Sequence, residues 1–135
     1  MELVSLYART INRINWRFSI KYTVKNNDGY LLFTFSGEYD YNKHLNLISA
    51  IKSECVRNNI FKVMADNRLI KNQSISNLDK FNLGVEISKV LNSKIQLAIL
   101  DNQEDTDNLI EITANNRSSY VKSSLNRNEL LEWLS

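Results

Sequence analysis

At 135 residues the chain has the length of one domain. With 43% hydrophobic and 24% charged residues it carries enough apolar surface to offset the entropy of ordering, which excludes intrinsic disorder. The formal charge of +2, from 17 Lys and Arg against 15 Asp and Glu with no basic block, speaks against nucleic acid as a partner.

A lone cysteine, Cys55, excludes an internal disulfide and, with His44 as the single histidine, leaves no ligand set for structural zinc. No apolar run of about eighteen residues occurs, and the opening Met-Glu-Leu-Val-Ser lacks a signal-peptide pattern. The expectation is a cytoplasmic protein with no integral membrane segment. Proline is absent and glycine occurs three times, so no linker divides the chain. Residues 1–15 read as an N-terminal extension and 16–135 as one domain. In the extension Leu3, Tyr7, Ile11 and Ile14 share a helical face.

From Trp16 to Val24 the apolar residues alternate strictly: Trp16, Phe18, Ile20, Tyr22 and Val24 are apolar and the odd positions polar. That is a strand with one wet face, and Asn26-Asn27-Asp28-Gly29 supplies its hairpin turn. Tyr30 to Ser36 is the partner strand. After Gly37 the period becomes helical through His44, Ile48, Ile51 and Cys55, with Asp40 as the cap. Ile60 to Ala65 reads as a short buried strand, followed by a polar loop from Asp66 to Ser76. Ser76 and Asp79 form a capping-box pattern for a second helix with the stripe Leu83, Ile87, Val90 and Leu91, in which Gly84 permits close approach.

Ile95 to Leu100 is the next buried strand. The acidic segment Asp101–Asp107 precedes a third helix that ends near Asn115. Tyr120 to Leu125 is an edge strand, and Asn126 with Glu129 opens a last helix bearing Leu130, Leu131, Trp133 and Leu134. The order is ββαβαβαβα. It predicts an α/β fold with a largely parallel sheet of about five strands and an antiparallel first strand.

Gly37-Glu38-Tyr39-Asp40 before the first helix, Asp66-Asn67-Arg68 after a buried strand, Ala114-Asn115-Asn116-Arg117 and the closing Glu132-Trp133-Leu134 resemble STAS-like domains related to bacterial anti-sigma-factor antagonists. The resemblance covers roughly residues 16 to 135. It implies a βα superhelix shared with STAS regulatory domains and, more distantly, with CRAL-TRIO lipid-binding domains, and it implies no catalysis. In the antagonists a phosphorylatable serine opens the second helix within an Asp-Ser-Ser-Gly type of loop. Here the segment Asp66–Ser76 lacks that motif, either Ser74 or Ser76 stands in the corresponding place, and Ser118 replaces the usual glycine after the Asn-Arg pair.

No catalytic constellation is legible. His44 and Cys55 are eleven residues apart, roughly 16 Å along a helix at 1.5 Å per residue, and do not form a dyad. No GxGxxG, Walker loop or HExxH occurs, so no cofactor is implied. The candidate binding residues are Asp40, Asp66, Asn67, Arg68, Ser74 and Ser76, placed where open α/β sheets carry ligand sites. Asp66 and Arg68 also suit each other as a local ion pair. Asn116 and Arg117 suit a helix end, with Asn in the left-handed conformation. The expected function is a non-enzymatic interaction or regulatory module with a protein partner. The alternative is a small apolar ligand or lipid held in a cavity of several hundred Å³.

Overall fold

Six alternating residues set the first strand, β1 (Lys21–Asn26): Tyr22 and Val24 are buried at 2% and 3% exposure, while Lys21, Thr23 and Lys25 face water. This computed structural model describes residues 21–71, 74–102 and 107–135. Trp16, Phe18 and Ile20, read as part of the same strand, and the extension 1–15 lie outside the described residues.

Asp28 and Gly29 take positive φ, as a two-residue type I′ hairpin requires, and return the chain antiparallel into β2 (Leu31–Glu38). Asp40 caps α1 (Tyr41–Asn58), which ends on left-handed Asn59. β3 (Lys62–Lys71), α2 (Asn77–Val90), β4 (Gln96–Leu100), α3 (Leu109–Asn116), β5 (Tyr120–Ser124) and α4 (Arg127–Leu134) follow.

The sheet order is β1-β2-β3-β4-β5, antiparallel between β1 and β2 and parallel thereafter. Each parallel neighbour is next in the chain, so three crossovers of the usual right hand place α1, α2 and α3 on one face. Phe33, Phe35, Val63, Leu97 and Val121 meet Ile48, Ile51, Cys55, Leu83 and Ile87 there in the main core. α4 follows the last strand directly and is free to take the other face, where Leu130 and Leu134 cover Met64, Ala98 and Leu100. Trp133 packs edge-on against Tyr120, 5.3 Å between ring centroids, and its carbonyl accepts from Gln96 Nε2 at 2.8 Å.

Two sequence expectations are corrected. The segment Asp66–Lys71 is strand, not loop. β3 carries one extra residue opposite Phe35, since Thr34 pairs with Asp66 but Ser36 with Leu69, and after this bulge it pairs on to Lys71. Ile70, 2% exposed, holds the continuation in the core. The helix end after Asn115 is also set differently: Asn116 stays helical, and Ser118 takes the left-handed conformation at φ 69°.

Candidate functional site

The carboxyl ends of the parallel strands bring the first turns of α1 and α2 together. Asp40 Oδ1 accepts from Lys43 N at 3.0 Å, and Ser76 Oγ accepts from Asp79 N at 3.1 Å, so each helix start is capped by its own side chain. Tyr39 joins them. Its backbone N–H donates to Lys71 O at 2.9 Å, tying the end of β2 to the end of β3, and its hydroxyl donates to Asp79 Oδ2 at 3.1 Å. Burial, the bond to Asp79 and the charge of that carboxylate push the Tyr39 hydroxyl well above its ordinary pKa. It stays a donor.

The Tyr39 ring lies against His44, 4.7 Å between centroids, and His44 Nδ1–H donates to the Asp40 carbonyl at 3.1 Å. Burial lowers the imidazole pKa and outweighs the opposing effects of the Asp40 carbonyl and carboxylate. His44 is therefore neutral with its Nδ1 engaged. Cys55, fully buried on the same helix, has its thiol pushed up to about 12 by burial and then by the charge of Glu54. A thiol so protonated is a poor nucleophile.

Strand alternation divides Asp66 from Asn67 between the two faces of the sheet, and the bulge sets Asn67 and Arg68 together opposite Phe35. Asp66 pairs in register with Leu100, which lies under α4, so it points to the α4 side. Asn67 points to the α1–α3 side and lines a cavity there. Arg68 folds back on Asp66: Nε donates at 3.0 Å, a terminal nitrogen at 2.9 Å and the backbone N–H at 3.1 Å. Burial raises the Asp66 pKa, but the bonds and charge of Arg68, with Arg127 adding, hold the carboxyl below its ordinary value. Asn102 Nδ2 donates to the Arg68 carbonyl at 3.1 Å and steadies the end of β3 beyond β4.

Asp40, Asn67 and Ser76 thus lie towards one face, and Asp66 with Arg68 lies towards the other. Ser74 is exposed just before the cap. Arg117 stacks on Phe81 of α2, 5.3 Å from the ring centroid. Sequence reading missed Tyr39 and Asp79 as a pair, because forty positions separate them.

The cavity beside Asn67 measures about 70 Å³ and is walled by Phe35, Ile48, Ile51, Leu83, Ile87 and Ile99, with His44 among its polar lining. It falls far short of the several hundred Å³ expected of an apolar-ligand site. At the amino ends of the strands a broad open depression of about 420 Å³ is bordered by Lys62, Lys94 and Tyr120. Among the described residues no group of three or more His, Cys, Asp or Glu is placed to hold a metal ion, and no helix is long and apolar enough to cross a membrane.

No protein-family model matches the chain, and no curated protein matches it in sequence. Solved structures do match. An anti-sigma factor antagonist from Mycobacterium paratuberculosis aligns with a TM-score of 0.56 at 15% identity, over 86% of this chain and 94% of that one. An uncharacterised protein with a SpoIIAA-like fold from Shewanella loihica PV-4 aligns with a TM-score of 0.52 at 17% identity, over 87% and 94%. The fold is SpoIIAA-like. The STAS-like architecture expected from the residue pattern, with its five strands and antiparallel first strand, is the one that the chain adopts.

Proposed function

We propose that this chain is a non-enzymatic regulatory module that binds a protein partner through the rim formed by Asp40, Asn67, Ser74 and Ser76, with the Asp66–Arg68 pair bracing its end. The observation that carries the reading is the Tyr39–Asp79 bond, which locks two capped helix starts side by side at the carboxyl ends of the sheet. A rigid rim of this kind presents helix N-termini to acceptor groups of another molecule. The titratable groups nearest to it are tied up as structure: His44 is engaged with Asp40, Cys55 is sealed in the core, and Asp66 is occupied by Arg68. The likeness to a protein named as an anti-sigma factor antagonist supports a protein as the partner. The apolar-ligand reading is the weaker one, since it asks for a cavity several times larger than about 70 Å³.

A photo-crosslinking amino acid placed singly at Ser74, Asn67 or Lys94 tests this in cells of the protein's own source. Adducts of one discrete protein at Ser74 and Asn67, with none at Lys94 on the opposite end, are the expected result. Adducts at Lys94 alone would overturn the assignment.

A further inference from the structure

β5 is the last strand of the sheet, and among the described residues no strand lies beyond it. The Ser124 carbonyl accepts from Asp101 N at 3.1 Å, just past the end of β4, so Tyr120, Lys122 and Ser124 turn their backbone groups inwards to β4. By alternation Val121 and Ser123 turn theirs outwards, to the edge where a sixth strand would pair. Unpaired groups in such a row are a template for another chain.

Here α3 takes them instead. Val121 N–H donates to Asn115 Oδ1 at 2.9 Å, and Asn115 Nδ2 donates back to the Val121 carbonyl at 2.9 Å. This is the two-bond exchange that one residue of an antiparallel strand makes with its opposite. Ser123 N–H donates to Glu111 Oε1 at 2.6 Å. The spacing matches. Glu111 and Asn115 stand four apart on a helix, about 6 Å at 1.5 Å per residue, while Val121 and Ser123 stand two apart on a strand, about 6.6 Å at 3.3 Å per residue. α3 runs against β5, so Asn115 meets the earlier residue and Glu111 the later one.

We infer that α3 stands in for a sixth strand, and that Asn115 and Glu111 keep β5 from pairing with the β5 of a second copy of this chain. A second copy fits because two such edges laid antiparallel are self-complementary about a two-fold axis. Tyr120 and Leu125, each 52% exposed, flank the strand at its two ends and would be covered by that pairing. The short length of β5 and Lys122 at its middle also discourage pairing, but neither accounts for outward groups bonded one by one. A bond that merely closed the turn from α3 into β5 would need Asn115 alone, whereas Glu111, twelve positions from Ser123, carries the seal along the strand. None of these residues belongs to the α1–α2 rim.

Amide hydrogen exchange on the isotope-labelled chain reads the seal directly. In the parent, Val121 and Ser123 should exchange within about tenfold of Lys122, whose amide points to β4, and not at the rate of an unstructured chain. Asn115→Ala should speed Val121 at least about fivefold and leave Ser123 unchanged, and Glu111→Ala should do the reverse. The double variant Glu111→Ala/Asn115→Ala should self-associate at least about tenfold more tightly than the parent in sedimentation equilibrium. Adding Ser123→Pro, which leaves no N–H at that edge position, should reverse the gain. Unprotected Val121 and Ser123 amides in the parent would overturn the inference, whether or not the double variant folds. So would a folded double variant that associates no more tightly than the parent, or one whose association survives Ser123→Pro.

Discussion

Tyr39 and Asp79 meet at 3.1 Å across forty positions of sequence, and this contact fastens the residue before the α1 cap to the first turn of α2. Tyr39→Phe removes the hydroxyl and leaves the ring against His44. Loss of one part-buried bond to a carboxylate should lower stability by about 1 kcal/mol. Urea denaturation checks the size, and faster amide exchange across 74–80 should accompany it.

Gly84 is where α2 and α3 come closest. A Cβ built there lies 2.7 Å from Thr113 Cβ and 2.9 Å from the Ile110 carbonyl, so the helices must part for any side chain. Gly84→Ala should therefore destabilise by about 1–3 kcal/mol from overpacking, against roughly 1 kcal/mol regained in helix propensity. A variant more stable than the parent in thermal unfolding would contradict this packing.

The helix pair carrying Gly84 shows how far sequence reading reached. The element order, the inward Tyr22 and Val24, the caps Asp40, Ser76 and Asn126 and the close approach at Gly84 follow from local periodicity and cap chemistry, which act within a few residues. The end of β3 does not. Asp66-Asn67-Arg68 has the composition of a turn, and strand pairing continues there because a bulge absorbs one residue and lets Ile70 reach the core. Because this segment is strand, its successive residues alternate, and the candidate triplet, contiguous in sequence, is divided between two faces. The Tyr39–Asp79 contact depends on the crossover geometry and leaves no short-range pattern.

Burial lowers the folded-state pKa of His44 below its ordinary value of 6.5, so the unfolded chain takes up this proton first. The contribution is complete above the unfolded value and is lost as pH falls from there through the folded value. His44→Gln should flatten the pH dependence of stability as pH falls below the ordinary imidazole value of 6.5, measured by denaturant midpoints. Asp66, also depressed, acts at lower pH: its contribution is lost as pH falls below the ordinary carboxylate value of 3.8.

Cys55 is packed as a small hydrophobe with its thiol pushed up to about 12. Iodoacetamide should leave it unmodified in the folded chain near neutral pH and alkylate it in denaturant. Cys55→Ala should cost about 1 kcal/mol through a small cavity and leave partner binding unchanged. Loss of binding in a stably folded Cys55→Ala chain would contradict a non-catalytic role.

The most direct test of the interaction rim is amide hydrogen exchange on the full chain, with and without the protein captured by crosslinking at Ser74. The account predicts slowed exchange at residues 39–44, 66–71 and 74–80, where the end of β3 and the two helix starts converge. Slowed exchange confined to residues 59–62 and 93–96, at the opposite end of the sheet, would contradict it.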